Sequence, residues 1–369
     1  MFINHQHIVN GCPNAEIFTS PHHPSSHLPT SPPPKISILK PLKALDEQLT
    51  ENLTAFLNLE GSPYEVLIGI ADINDPVVAL VKEFIATHPQ APILLIITGQ
   101  SIGCNPKVMT LASLEKEASG DILLVSDGNT RPHRHCLKPI LTTFENPNIG
   151  VASAPFFVRQ PKSIGAKFRA LRIGTMIVSS ICGGYTLTKF PFIVGKWMAI
   201  RREALVELGG FAALSQVLCE DAVIAPKLHQ LNWKAAIIPD LIDIYLGDWT
   251  IKQAWSQQLR WSRLIRFIAF VEPILELLWN GVFLLLASAI AWKIGAKSSA
   301  LNLAIASLLN WIFYSTLYIK LGGSLFDILL LPLQDFQMLL IAISTYFGNE
   351  INWRGQRFRI SKGGKIEDN

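Results

Sequence analysis

Four acidic residues stand where an apolar strand ends or a helix begins. Asp72 follows the apolar run YEVLIGIA, Asp127 follows DILLVS, and Glu220 and Asp221 open a helical stretch. Carboxylates in such places can accept hydrogen bonds from a nucleoside, hold a divalent cation on diphosphate oxygens, or take a proton as a general base. The commoner role of each one alone is a turn or a helix cap. Three such positions in one chain favour a site.

A basic and aromatic segment, Gln257-Gln258-Leu259-Arg260-Trp261, lies within 251–270, a stretch with four cations and no acidic residue. Its spacing predicts an amphipathic helix at a membrane interface, resting on anionic lipid. That role does not account for Gln257 or for the Arg260–Trp261 pair. These residues are therefore also candidates for binding a ligand.

The elements that must position these side chains alternate between strands and helices. Alternation of this kind predicts right-handed βαβ units and a mostly parallel sheet, an α/β fold. Ligands of such sheets bind beyond the carboxyl ends of the strands, where Asp72 and Asp127 lie. The apolar runs predict strands at 36–42, 64–71, 93–98 and 121–125 and helices at 46–59, 76–88 and 108–118.

Charged residues are scarce near the C-terminus. The chain has 369 residues, of which 49% are hydrophobic and only 16% charged, whereas about 25% is usual for soluble proteins. Six charged residues fall between 273 and 347, which predicts a membrane region. The apolar content excludes disorder throughout, and a net charge of +4 gives no reason to expect a nucleic-acid partner.

Two segments, 273–292 and 301–319, are close to the roughly 20 residues that a membrane-spanning helix needs. The stretch 325–347 contains Asp327, Pro332 and Asp335, which are costly in lipid and predict an interfacial or re-entrant segment. Basic residues flank the region on both sides, so an even number of crossings would leave the α/β domain and the tail in the cytoplasm.

These observations divide the chain into five parts. The first part is rich in Pro, Ser and His and lacks periodicity, which predicts disorder. The parts are a disordered leader (1–34), an α/β domain that carries the acidic candidate site (35–250), an interfacial helix (251–272), a membrane region (273–347) and a basic cytoplasmic tail (348–369).

The ordered set of acidic residues followed by Q-x-x-R-W resembles the D, D, D, (Q/R)xxRW pattern of family 2-type membrane glycosyltransferases. Four further segments are similar, more narrowly, to ceramide glucosyltransferases of family 21 and to the bacterial hopanoid-associated glycosyltransferases. They are LKPLK at 39–43, DINDP at 72–76, GCNPK at 103–107 and LVSD at 124–127.

The resemblance implies a GT-A fold and inverting transfer of a single sugar, glucose in the ceramide enzymes, from a UDP-sugar. It implies that Asp221 is the general base, which Glu220 either tunes or merely accompanies at a helix start. It also implies Mg²⁺ or Mn²⁺ on Asp127, although Asp-Gly-Asn replaces the common DxD and leaves one carboxylate there. The implied donor-binding residues are Lys40, Asp72, Lys107, Asp127, Gln257, Arg260 and Trp261.

The acceptor is expected to be a lipid, either ceramide or a hopanoid- or sterol-like alcohol. A catalytic site beside the bilayer would hold a lipid hydroxyl close to the base. The segment GKWMAIRREAL from Gly195 resembles the acceptor side of the family, or is simply a buried strand followed by a helix. The apolar stretch 173–194 is expected to dip into the interface and admit the lipid.

Two other functions share part of this pattern. A processive polysaccharide synthase uses the same motif but needs more spans to form a channel, and would yield a long polymer. A catalytically inactive, membrane-tethered protein could keep the nucleotide-sugar fold, in which case UDP would bind without turnover.

Replacing Arg260 tests the Q-x-x-R-W assignment. Arg260→Ala is expected to weaken both UDP binding and sugar transfer, because a planar cation that faces the diphosphate stabilises donor and leaving group alike. UDP titration and a transfer assay on the purified protein measure the two effects. UDP affinity equal to that of the wild type would contradict the assignment.

Overall fold

The structure is a computed structural model that describes residues 33–45, 48–99, 104–188, 191–353 and 356–366. Nearly all of the predicted leader, Gly103 of the GCNPK segment and Arg354 of the tail lie outside the described residues. The chain forms two compact units. The first comprises the described residues up to Phe157 together with Val178–Gln216 and Glu220–Tyr245, and the second comprises Val158–Ile177, Val217–Cys219 and the described residues from Leu246 onward.

The elements follow one another as alternating strands and helices up to residue 158 and mainly as helices from residue 251. The strands are β1 (Ile36–Leu42), β2 (Tyr64–Ile70), β3 (Ile93–Ile97), β4 (Ile122–Ser126), β5 (Thr130–Arg131), β6 (Ile149–Ser153), β7 (Phe156–Val158), β8 (Trp197–Arg201), β9 (Lys234–Ile237), β10 (Ile242–Ile244), β11 (Glu350–Trp353) and β12 (Gln356–Arg359). The helices are α1 (Leu49–Thr54), α2 (Val77–Thr87), α3 (Pro106–Glu117), α4 (Leu137–Phe144), α5 (Ile164–Arg172), α6 (Val178–Thr188), α7 (Arg202–Leu208), α8 (Glu220–Gln230), α9 (Ile251–Ile268), α10 (Glu272–Leu277), α11 (Gly281–Lys293), α12 (Lys297–Lys320) and α13 (Leu331–Thr345).

The main sheet of the first unit has seven strands in the order β3-β2-β1-β4-β8-β6-β9. Strands β1 to β4 coincide with the four predicted apolar runs and pair in parallel. Helices cover the faces of this sheet, so a central strand is apolar along its whole length, as in β1, where all seven residues are buried. The prediction of a mostly parallel α/β sheet is confirmed.

Strand β8 departs from the βαβ pattern because it runs antiparallel to both of its neighbours, β4 and β6. It is buried, and α7 follows it directly. The alternative description of this segment, a buried strand followed by a helix, is therefore confirmed. An antiparallel strand begins where its parallel neighbours end, so the start of β8 lies at the carboxyl edge of β4.

In the second unit, helix α9 carries the Q-x-x-R-W segment. A capping box starts it, in which Thr250 Oγ1 accepts from Gln253 N and the Gln253 side chain accepts from Thr250 N. Helix α5 packs closely on this start, because a Cβ on Gly165 would overlap the carbonyl oxygens of Trp249 and Thr250. Only glycine permits this approach without a shift of one helix.

Three apolar helical segments follow α9. Two, Lys297–Lys320 and Leu325–Thr345, are long and apolar enough to cross a membrane, by length and composition. The stretch predicted as the first span, 273–292, is divided between α10 and α11. The 13 residues of α11 reach about 20 Å, whereas the hydrocarbon core is about 30 Å thick. The number of crossings stays a prediction.

Two acidic residues within these apolar segments have protein partners. Asp335 accepts hydrogen bonds from Trp311 Nε1 at 2.8 Å and from Gly281 N at 3.0 Å. Asp327 lies 3.0 Å from Lys167 Nζ and accepts from the Tyr318 hydroxyl at 3.0 Å. Both carboxylates are thereby satisfied internally, as polar groups in an apolar environment must be.

The C-terminal tail forms the β11–β12 hairpin and packs within the second unit. Buried Ile351, Phe358 and Ile360 form an apolar cluster with Leu264 of α9 and with Leu218. The tail also pairs with the backbone beside Leu218, whose N–H donates to the Gly364 carbonyl at 3.1 Å. The short segment 217–219 is therefore fixed by residues that lie far downstream in the chain.

Replacing Gly165 by alanine tests the contact between α5 and α9. Gly165→Ala is expected to lower the stability by about 1 to 3 kcal/mol, because the added methyl group forces the helices apart. Gly183→Ala is a matched control, since a Cβ there meets open space and helix propensity alone favours alanine. Thermal unfolding in detergent should give a lower midpoint for Gly165→Ala only, and equal midpoints would contradict the close approach.

Candidate active site

Polar residues that follow β2 and β4 or precede β8 lie at the same edge of the sheet in the first unit. Asp72 follows β2 and Asp127 follows β4, and both strands pair in parallel with β1 between them. Antiparallel β8 contributes its first residues to this edge, because Ser126 pairs with Trp197 and Asp127 N donates to the Lys196 carbonyl at 3.4 Å. The sheet itself therefore brings Lys196 beside Asp127.

Asp127 is paired with two lysines, one at each carboxylate oxygen. Lys107 Nζ lies 3.3 Å from Oδ1, and Lys196 Nζ lies 2.9 Å from Oδ2. Lys196 also donates to Asn129 Oδ1 at 3.3 Å. Burial opposes ionisation of Asp127, but the two ammonium groups outweigh it and hold the pKa of this carboxyl well below its usual range.

Lys107 links Asp127 to the acidic pair at the start of α8. Its Nζ lies 2.8 Å from Glu220 Oε1. Burial alone would lower the pKa of Lys107, but the nearby carboxylates of Asp127, Glu220 and Asp221 raise it, so the group is an ammonium at neutral pH. Burial also raises the pKa of Glu220, and Lys107 only partly offsets this.

Asn105 contacts both the backbone of Lys107 and the side chain of Glu220. Its side chain caps α3 by accepting from Lys107 N at 3.0 Å and from Val108 N at 3.3 Å. Its Nδ2 donates to Glu220 Oε2 at 3.4 Å. One fully buried asparagine therefore fixes both partners of the Lys107–Glu220 ion pair.

The Asp221 carboxylate is oriented by backbone N–H groups. Oδ2 accepts from Gly195 N at 2.8 Å, and Oδ1 accepts from Ala222 N at 3.0 Å. A Cβ on Gly195 would come within 3.1 Å of Lys107 Nζ and 3.3 Å of Asp221 Oδ2. The absence of a side chain at Gly195 therefore leaves room for the Lys107 ammonium and the Asp221 carboxylate beside its backbone.

Lys40, predicted to bind the donor, is fully buried in β1 beneath this cluster. Its Nζ donates to the Asp127 carbonyl at 2.7 Å and lies 4.5 Å from the centre of the Phe56 ring. These contacts make Lys40 a support for the turn that carries Asp127.

Asp72 lies beyond β2, on the other side of β1 from Asp127. Its Oδ1 accepts from Asn74 N at 2.9 Å, which is a side-chain turn. The neighbouring Asp75 accepts from Val77 N at 3.0 Å at the start of α2. This strand end therefore shows both structural roles that the sequence allows for such a carboxylate, a side-chain turn at Asp72 and a hydrogen bond to the start of a helix at Asp75.

In the second unit, the Q-x-x-R-W segment surrounds a buried arginine. The Arg169 guanidinium lies 4.2 Å from the Trp261 ring centre and donates to Gln258 Oε1 at 3.3 Å. Burial, with the cations Arg260 and Arg172, lowers the pKa of Arg169 to about 9. Two buried polar atoms, Arg169 Nε and Gln257 Oε1, have no hydrogen-bond partner among the described residues.

The first unit brings five of the predicted site residues together, and Gln257, Arg260 and Trp261 lie in the second unit. Sequence reasoning did not identify Lys196, Asn105 or Arg169 as part of either group. The available signal for Lys196 was its place between Gly195 and Trp197 at the start of a strand. The five residues of the first unit are Lys40, Lys107, Asp127, Glu220 and Asp221.

Known proteins similar to this chain include two ceramide glucosyltransferases of Caenorhabditis elegans. Ceramide glucosyltransferase 3 is 22% identical over 348 residues, which cover 90% of this chain and 74% of that protein. Ceramide glucosyltransferase 1 is 24% identical over 366 residues, which cover 94% of this chain and 75% of that protein. Among solved structures, the mannosyltransferase PcManGT from Pyrobaculum calidifontis in complex with GDP-Man and Mn²⁺ is 17% identical and aligns over 93% of this chain and 99% of its own, with a TM-score of 0.49.

The sequence profile of glycosyl transferase family 21 matches residues 7–366. The match covers the first unit with its mostly parallel sheet and the helices of the second unit. It confirms the predicted GT-A fold and the predicted class of enzyme. The chain therefore belongs to glycosyl transferase family 21 and is a hexosyltransferase.

Proposed function

We propose that this enzyme moves one glucose from UDP-glucose to the hydroxyl of a ceramide-like lipid, with inversion at the anomeric carbon. The observation that carries the proposal is the cluster at the carboxyl edge of β4, where Lys107 and Lys196 flank Asp127 and the Lys107 ammonium and the Asp221 carboxylate both lie beside Gly195. A cationic site for a diphosphate next to a carboxylate suits sugar transfer. Similarity to ceramide glucosyltransferases over most of the chain supports the lipid acceptor.

The reaction is a single in-line displacement. The acceptor oxygen forms a bond to the anomeric carbon as the bond from that carbon to the β-phosphate oxygen breaks, and UDP leaves with the electron pair. The acceptor proton passes to a carboxylate, for which we propose Asp221. Inversion follows because attack and departure occur on opposite faces of the sugar.

Asp221 is better suited than Glu220 to act as the base. Backbone N–H groups hold both of its oxygens and fix their direction. Glu220 is buried and already ion-paired with Lys107 at 2.8 Å. We therefore propose that Glu220 holds the Lys107 ammonium in place and that Asp221 receives the proton.

The residues around Asp127 do not fit a resident divalent cation. Each carboxylate oxygen accepts from an ammonium group, and a dication on the same oxygens would lie beside two positive charges. The Asn129 amide oxygen, the other oxygen of the Asp-Gly-Asn turn, accepts from Lys196 as well. Among the described residues, no group of three or more His, Cys, Asp and Glu side chains is placed to hold a metal.

The lipid acceptor agrees with the apolar helices of the second unit, two of which are long enough to cross a membrane. We propose that the catalytic domain and the basic tail face the cytoplasm, as the flanking arginines and lysines favour. A membrane-anchored enzyme meets its lipid substrate in two dimensions, which keeps the acceptor hydroxyl near the site.

Product analysis tests the function as a whole. The purified full chain in lipid nanodiscs is given a panel of UDP-sugars with ceramide, a sterol or a hopanoid alcohol. Mass spectrometry is expected to detect a lipid carrying one hexose, with ceramide and UDP-glucose the preferred pair. A long polymer would identify a polysaccharide synthase, and no glycolipid with any pair would contradict the proposal.

Asp221→Asn tests the general base. The substitution is expected to lower the transfer rate by about 10² to 10⁴-fold, the usual contribution of a general base. UDP affinity should stay within about twofold, because the amide oxygen can still accept from Gly195 N. Asp121→Asn is a matched control at the amino end of β4, where Asp121 accepts from Lys35 N at 2.9 Å.

Transfer rates and UDP titrations of both variants separate chemistry from binding. Asp121→Asn should keep wild-type turnover. Wild-type turnover in Asp221→Asn would show that another group accepts the proton, and an absence of turnover in the wild type alongside UDP binding would favour the inactive binding protein.

A further inference from the structure

We propose that the ammonium groups of Lys107 and Lys196 together bind the donor's diphosphate in place of a divalent cation, so that donor binding needs no metal ion. The inference rests on the proposed function, because it concerns the same donor site. Of these two lysines, only Lys107 is among the donor-binding residues that the resemblance to family 21 implies. Lys196 is assigned here from its position in the sheet.

Lys196 is held in place by the sheet. It immediately precedes β8, which is held between β4 and β6, and its own carbonyl accepts from Asp127 N. Lys196 is only 8% exposed, so its ammonium group is confined to the immediate surroundings of Asp127. A cation held in this way is part of a site rather than a mobile surface charge.

The two lysines can supply the positive charge that a diphosphate needs. Two ammonium groups carry the same formal charge as Mg²⁺ or Mn²⁺, and each offers three N–H donors to oxygen. Lys107 and Lys196 use some of these donors on Asp127, Glu220 and Asn129. The remaining donors can meet phosphate oxygens through charge-assisted hydrogen bonds.

The Asp127 carboxylate already has a lysine at each oxygen. Mg²⁺ at a nucleotide site usually takes one or two protein carboxylates together with phosphate oxygens. Asp-Gly-Asn supplies only one carboxylate, and both of its oxygens are occupied by lysines. Asp127 therefore anchors two cations, where a DxD motif would anchor a metal.

The chemical role follows from the proposed displacement. When the bond between the anomeric carbon and the β-phosphate oxygen breaks, its electron pair remains on the phosphate oxygen. The Lys107 and Lys196 ammonium groups stabilise this developing charge, while the acceptor proton goes to Asp221. The products are UDP and the glycolipid, and no further reactant is needed.

The test measures UDP affinity of the purified full chain by calorimetry in three solutions, with EDTA, with MgCl₂ and with MnCl₂. The dissociation constant of the wild type is expected to agree within about twofold in all three. Lys196→Met is expected to weaken binding about tenfold or more in EDTA, as loss of a hydrogen bond to a charged group does. Lys234→Met is the control, since Lys234 is an exposed lysine on β9.

Mn²⁺ should recover part of the affinity of Lys196→Met, because the substitution releases one Asp127 oxygen to a metal. A wild-type protein that binds UDP only with Mg²⁺ or Mn²⁺ would overturn the inference and leave the proposed function standing. Wild-type affinity in Lys196→Met would also overturn it. Failure of the wild type to bind UDP in every solution would overturn the proposed function and this inference together.

Discussion

The charge balance around Asp127 is the constraint on which the candidate active site depends. Lys40, Lys107 and Lys196 converge on this one residue, through its carbonyl and its two carboxylate oxygens. A buried charge that loses its partner costs about 3 to 5 kcal/mol, so each of these groups restrains the others. The cluster is stable only because β1, β4 and β8 hold their backbones side by side, which makes the sheet order a condition for the chemistry.

In the second unit, acidic side chains within apolar segments are likewise held by polar partners. Asp327 and Asp335 sit within long apolar segments, yet each carboxylate is paired with polar groups from other helices. Asn280 reinforces the start of α11 by accepting from Phe283 N at 2.9 Å and donating to the Asp335 carbonyl at 2.8 Å. These bonds specify how the helices pair, where apolar contacts alone would allow several arrangements.

Local patterns in the sequence were sufficient for part of this structure. Strands β1 to β4 are short apolar runs between helices. This alternation predicts a parallel sheet, and Asp127 directly follows one of its strands. Lys196 could not be placed in this way, because it lies 69 residues from Asp127 and β8 reverses direction. The break between α10 and α11 was also missed, since Asn280 and Gly281 end one helix and start another through contacts with the distant Asp335.

The pairing of residues 217–219 with the C-terminal tail bears on the order in which the enzyme is assembled. These residues immediately precede Glu220 and Asp221 in sequence, and the Leu218 N–H has its partner in Gly364. A ribosome releases Gly364 only after every apolar helix of the second unit has been made. The backbone segment that leads into the acidic pair therefore gains this partner only after the helices of the second unit have been synthesised.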